Sequence, residues 1–187
     1  DEYGVRNLTL ARELLTAAGY SETNKFAFEM WYTPTHYGDP EVYVASIIKE
    51  SLEETGMMEV TLKSAEWATY ASVYIPEATM PIFLLGWYPD YIDPDDYLTP
   101  FLHSEWSSAN GVYYNNTQMD TYLEDAMVEL NITKRTELYE DAQELMAEEA
   151  PVIPFFQGIL NAAFWPNVRG VVLDPTMVMR YYLIYKE

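Results

Sequence analysis

Two short strand-like runs bracket one amphipathic helix, and this arrangement constrains the fold more than any other feature of the chain. Phe26, Phe28, Met30 and Tyr32 fall on one side of residues 26–33, the period of a strand. Asp39-Pro40 then offers a cap and a first-turn proline for a helix. That helix carries Val44, Ile47, Ile48 and Leu52 on its inner side and stops at Gly56. Residues 60–63 read as a second strand. Strand, helix and strand at this spacing predict a βαβ unit with parallel strands and a right-handed crossover.

The flanking sequence extends the alternation. Residues 8–18 predict a helix with Leu8, Ala11, Leu15 and Ala18 on one face, Asn7 as its cap and Gly19 as its stop. A short helix over 67–74 leads to the apolar run 80–85 (Met80, Pro81, Ile82, Phe83, Leu84, Leu85), which reads as a third, buried strand. Further on, Thr117-x-x-Asp120 resembles a capping box that opens a helix through Leu130. Thr133 starts another, with Leu138, Ala142, Leu145 and Met146 inward, and Pro151 ends it. The last third changes character: residues 152–156, 159–165 and 178–185 are aromatic and β-rich, punctuated by Pro151, Pro154, Gly158, Pro166 and Gly170. These elements predict the α/β class, a mixed sheet flanked by helices with a β-rich C-terminal extension. With no internal repeat or low-complexity linker, residues 1–187 are expected to form a single α/β domain.

Charge and composition narrow the function. Ten basic against thirty acidic residues give a formal charge of −20, a field that repels nucleic acid and anionic lipid surfaces. There is no cysteine, which excludes disulfides, Cys-ligated zinc and thiol catalysis. No run approaches the ~20 apolar residues of a membrane-spanning helix. The start, Asp1-Glu2-Tyr3-Gly4, is polar and acidic, which suggests a mature or trimmed piece of something longer. Three Asn-x-Thr sequons, at Asn7, Asn115 and Asn131, hint at an exported protein, although Thr117 and Thr133 also suit helix caps. Serines lack a Gly-x-Ser-x-Gly elbow, and the two histidines, His36 and His103, lie in polar stretches expected to be exposed. Neither a phosphate loop nor a His-Glu-x-x-His motif is present, so no catalytic residue, metal or cofactor is implied.

Binding chemistry concentrates at residues 86–101. The apolar run stops at Gly86-Trp87, and Asp90, Asp93, Asp95 and Asp96 follow, interleaved with Tyr91 and flanked by Tyr88 and Tyr97. A buried strand that opens into aromatics and carboxylates places polar groups where open α/β folds take ligands. Carboxylates among aromatic rings suit a ligand with a cationic end and a mixed apolar body, such as a peptide amino terminus. Asp93, Asp95 and Asp96 are good turn and cap material before Tyr97-Leu98, whereas Asp90 stands just past the strand end, three residues after Trp87. Trp67 and Trp87 sit at strand-to-helix and strand-to-loop transitions, so each either lines a cleft or belongs to the core.

At these residues the sequence resembles a known family. Gly86-Trp87-x-x-Asp90-x-x-Asp93-Pro94-Asp95-Asp96-Tyr97-Leu98 is similar to the signature loop of family 5 extracytoplasmic solute-binding proteins, the oligopeptide- and dipeptide-binding components of ABC importers. Ala11-Arg12-Glu13-Leu14-Leu15-x-x-Ala18-Gly19-Tyr20, Glu66-Trp67-x-x-Tyr70, Asn110-Gly111-Val112-Tyr113-Tyr114-Asn115 with Asp120, Arg135-x-x-Leu138-Tyr139-x-x-Ala142-Gln143 and Ala150-Pro151-x-Ile153-Pro154 resemble further family elements in the same order. The Asn110–Asn115 stretch is one residue shorter than the family's. Phe83, Leu84 and Leu85 stand where peptide binders often carry a basic residue before Gly-Trp.

The resemblance implies one lobe of a two-lobed, periplasmic-binding-protein-like (class II) fold, the carboxy-terminal portion of a longer protein. It implies a ligand held by Asp90, with Trp87 and Trp67 flanking it and Tyr88 and Tyr91 nearby. It further implies a monomer outside the cytoplasm, in the periplasm or at the cell surface, membrane-anchored in the longer parent. The partners expected are a peptide or other small solute and an ABC permease, with no nucleic acid. An oligosaccharide ligand stacked on Trp67 and Trp87, or a glycoside hydrolase using Asp90 with a second acid, are the alternatives.

Overall fold

The computed structural model describes residues 5–38, 40–159 and 161–187. They fall into two compact units, residues 1–86 and 87–187. The first begins with α1 (Leu8–Ala17), capped by the Asn7 side chain, which accepts from the Leu10 amide. β1 (Phe26–Tyr32) and β2 (Met58–Ser64) pair in parallel over their whole lengths, Phe26 opposite Met58 and Tyr32 opposite Ser64. Between them runs α2 (Pro40–Glu53). Its proline begins the helix as expected; the proposed cap, Asp39, lies outside the described residues. Arg12 reaches from α1 to the far end of α2, where it donates to the Thr55 and Glu54 carbonyls at 3.0 and 3.1 Å, oxygens that the helix leaves without amide partners.

The sheet runs β2-β1-β3, with β3 (Ile82–Phe83) also parallel to β1. The apolar run 80–85 therefore contributes a much shorter strand than its composition suggests, and Ile82 is exposed. Pro81 has no amide to give a ladder. Beyond Phe83, the Leu84 amide still donates to the Trp31 carbonyl at 2.9 Å, but the buried Tyr70 hydroxyl takes the Leu84 carbonyl at 2.9 Å. Tyr70 belongs to the segment after β2, α3 (Trp67–Thr69), which widens into one π-type turn at Tyr70–Tyr74. Met30, Ala45 and Val60 form the core between sheet and α2; Tyr70, Ile75 and Met80 form a second cluster. Ile47, expected to face inward, is exposed, and Ala45 takes the buried place two positions earlier.

In the second unit, α4 (Asp95–Leu102), α5 (Thr117–Val128) and α6 (Ile132–Glu149) pack around Leu102, Met119, Leu123, Ala126, Tyr139 and Ala142. The caps of α5 and α6 are Asn116 and Asn131, whose side-chain oxygens accept from amides two and three residues on. Thr117 and Thr133 are thus already inside their helices. Asp120, expected in a capping box, instead accepts from the Ser104 amide at 2.8 Å. α6 ends at Ala150 in the left-handed region (φ 49°), and Pro151 follows. His103 is buried, against expectation, because it ends α4 beside α5. Its Nδ1 accepts from the Glu105 amide and its Nε2 meets Glu124 Oε1, both at 3.2 Å.

Past residue 150, runs 152–156 and 159–165 form no ladder among the described residues, and of 178–185 only Tyr185 is paired. The strands there are β4 (Val168–Arg169) and β5 (Tyr185–Lys186), an antiparallel ribbon of two pairs. Gly170 permits the ribbon: at φ +75°, a Cβ on it would lie 1.9 Å from the Leu183 carbonyl oxygen. Parallel and antiparallel pairing are both present, in separate sheets. Strand propensity in 152–165 meets no partner strand, and propensity without pairing does not make a strand.

Candidate functional site

The chain presents two groups of candidate side chains, one in each unit. In the first, the three parallel strands end on the same side, and their continuations carry a cluster of rings. After β1 come Thr35, His36 and Tyr37; after β2, Glu66 and Trp67; after β3, Leu84 to Gly86. The His36 imidazole lies flat on the Trp67 indole, centroids 3.8 Å apart and planes 5° apart. Tyr37 meets both rings edge-on, at 4.5 Å from His36 and 5.9 Å from Trp67. Its hydroxyl donates to the Gly86 carbonyl at 3.2 Å. Gly86 is needed for this approach, since a Cβ there would sit 2.7 Å from the Tyr37 ring.

The turn that carries His36 is anchored from below. Glu41, in the first turn of α2, is 7% exposed and accepts from Thr33 twice, from the amide at 2.9 Å and the hydroxyl at 2.7 Å. Strand end and helix start are thereby tied together. Sequence reasoning missed Glu41, His36 and Tyr37. The available signal was position: each follows the first strand of a parallel unit closely, at the end where ligands bind.

The second group is the acidic loop. Asp96 is 4% exposed and its Oδ2 accepts from the Asp90 amide at 2.8 Å. Asp93 Oδ1 accepts from the Asp95 amide at 2.9 Å and from Arg135 Nη2 at 2.7 Å. The Arg135 bond, offset in part by desolvation, holds the Asp93 carboxyl below the usual carboxylate range. Arg135 is itself fixed by donating to the Ala126 carbonyl at 2.9 Å and lying 5.0 Å above the Tyr139 ring. Asp95 accepts from Thr99 Oγ1 at 2.5 Å and from the Tyr91 hydroxyl, a bond that, with desolvation, pushes the Tyr91 phenol up. Three of the four acids are thus engaged in building the loop and the start of α4.

Asp90 differs. Its side chain is exposed, and among the described residues no hydrogen bond or ion pair engages its carboxylate. Tyr88, Tyr91 and Ile92 stand exposed around it in the sequence. Trp87 is half-buried, edge-on to Phe101 at 5.0 Å. Its Nε1 is buried without a hydrogen-bond partner among the described residues, an arrangement that costs ~1–3 kcal/mol. Asp90, Tyr91 and Ile92 also line a groove of about 770 Å³, whose other residues include Asp174, Val178, Met179, Arg180 and Tyr182. Asp174 accepts from Arg180 (2.6 Å from Nη2) and from Thr176, and its carboxyl is brought down to about 2, chiefly by the Arg180 bond. The structure thus gathers Trp87, Tyr88, Asp90 and Tyr91 in one unit and places Trp67 in the other.

The chain thus combines a parallel α/β unit with aromatics at its strand ends and a helical unit in whose acidic loop Asp90 alone is unengaged among the described residues. The model of the family described as "Bacterial extracellular solute-binding proteins, family 5 Middle" matches residues 1–109. The chain belongs to family 5 of the bacterial extracellular solute-binding proteins and so works outside the cytoplasm. Among curated proteins it is 30% identical to Heme-binding protein A of Haemophilus influenzae, over 88% of this chain and 30% of that protein. It is 27% identical to the periplasmic oligopeptide-binding protein OppA of Salmonella typhimurium, over 93% of this chain and 32% of that one. Among solved structures, a dipeptide-binding protein from Pseudoalteromonas sp. SM9913, in complex with Met-Leu, matches at 28% identity and a TM-score of 0.82, covering 95% of this chain and 35% of its own. The chain therefore spans about a third of the length of the relatives it matches.

Proposed function

We propose that this chain forms one wall of a ligand cleft in a longer solute-binding protein. That protein captures an oligopeptide or dipeptide and presents it to an ABC permease, without catalysis. In this reading residues 1–187 are its carboxy-terminal lobe portion, the protein is a monomer, and closure of the other lobe completes the cleft. The observation that carries the reading is the Asp90 carboxylate, exposed and unengaged among the described residues while its three acidic neighbours are bonded. A single anion beside Tyr88, Tyr91 and Ile92 suits an ammonium group attached to an apolar body. The relative complexed with Met-Leu supports the same class of ligand.

The rivals fit less well. Stacked sugars need open indole faces, and a sugar would first have to displace His36 from the face of Trp67 that it covers. A hydrolase needs a carboxylic acid that is protonated near neutrality. The second acid lining the Asp90 groove, Asp174, is ionised and paired with Arg180. Titration calorimetry of the chain with di- and tripeptides and with cello-oligosaccharides tests the reading. Peptides are expected to bind, weakly because a half-cleft covers one side of the ligand, and the sugars not at all. Sugars binding in preference to peptides would overturn it.

A further inference from the structure

Among the described residues, the most closely stacked pair of rings joins an exposed histidine to a tryptophan placed among the candidate ligand contacts. At 3.8 Å and 5°, the His36 imidazole rests on the Trp67 indole much as a planar group of a ligand would. Its neighbours make the pose specific. Tyr37 braces both rings and is itself fixed on Gly86, and Thr35 Oγ1 donates to Glu66 Oε2 at 3.4 Å on the residue preceding Trp67. The backbone of the turn is therefore held, while the His36 side chain is exposed and free to change rotamer without moving the turn.

We propose that His36 is a specificity-determining residue that occupies the stacking face of Trp67 as an internal stand-in. A planar ligand group, an aromatic side chain above all, gains that face only by displacing the imidazole. The inference rests on the reading of Trp67 as part of a peptide site, and adds which peptides the site favours. Aliphatic peptides leave the His36–Trp67 stack in place. Aromatic ones must exchange one ring contact for another, so their net gain from Trp67 is small. Without the imidazole, the same face is open and aromatic peptides gain the full contact.

Chain with labelled histidines and indoles, followed by NMR, tests this with Ala-Ala-Ala and the three tripeptides that carry one Phe among alanines. In the free protein, the His36 ring protons should carry the upfield ring-current shift of a stacked imidazole, and Trp67→Leu should remove it while leaving His103 unchanged. Saturation with at least one Phe peptide should move His36 to its unstacked position, and Ala-Ala-Ala should not. His36→Ala should bind that Phe peptide about two- to tenfold more tightly, the worth of one aromatic pair, with Ala-Ala-Ala unchanged. Equal Phe preference in wild type and His36→Ala, or a His36 that stays stacked in the saturated Phe complex, would overturn the proposal and leave the peptide reading intact. No binding of any tripeptide to any variant would overturn both.

Discussion

The helices of the second unit and the residues that follow them use similar apolar side chains to opposite ends. Around α5 and α6, Leu123 and Ala142 are 0% exposed. After Pro151, Ile159 is 86%, Trp165 78% and Tyr182 80% exposed. The helices bury their faces because neighbours in sequence are neighbours in space: α5 and α6 are joined by a short turn and pack on each other at once. The later runs have strand propensity, and a strand needs a ladder partner that local sequence does not supply. Hydrophobicity alone thus did not decide burial; the availability of a partner did.

Substitutions on either side sharpen that contrast. Leu123→Ala opens a cavity in the helical core and should cost ~2–5 kcal/mol in urea unfolding. Ile159→Ala, on an exposed side chain, should stay within ~0.5 kcal/mol. Comparable losses at both positions would show that residues 151–187 pack onto a core as the helices do.

A smaller effect concerns the loop that joins the helices to the site. Arg135→Gln removes the ion pair with Asp93 and should cost on the order of 1 kcal/mol at neutral pH, discounted because both side chains are partly exposed. The Asp93 carboxyl is depressed in the fold, so its contribution is present above the unfolded value of ~3.9 and is lost as pH falls through the folded one. The stability gap between wild type and Arg135→Gln should therefore be full at neutral pH and narrow in acid. A gap that widened on acidification would mean that the pair does not hold the loop.

What was legible in the sequence follows the same division. α1 with its Asn7 cap, β1, α2 and the parallel β1–β2 pairing were readable, since period and capping are local signals. Three misreadings, the exposed Ile47, the buried His103 and the caps at Asn116 and Asn131, are local shifts of one to a few positions or side chains whose surroundings come from another helix. In the candidate site, the bonded roles of Asp93, Asp95 and Asp96 were foreshadowed by Asp-Pro-Asp-Asp as turn material. The Glu41–Thr33 tie and the His36–Trp67 stack were not. The first joins groups eight residues apart across a strand-to-helix turn, and the second joins groups from different strand ends, so neither leaves a periodic trace.

The central claim is that Asp90, alone among the loop acids, is left to hold a ligand's ammonium. The direct measurement is peptide affinity of the two-lobed protein that this chain is proposed to complete, carrying Asp90→Asn or Asp95→Asn, with tripeptides bearing free or acetylated amino termini. Losing one charge-assisted bond to a desolvated cation should cost Asp90→Asn ~1.5–3 kcal/mol, roughly ten- to a hundredfold in affinity for free peptides. Acetylated peptides should bind the wild type weakly, and Asp90→Asn should hardly distinguish them from free ones. Asp95→Asn should leave affinity nearly unchanged. Equal losses at the two positions, or no preference for a free amino terminus, would contradict the account.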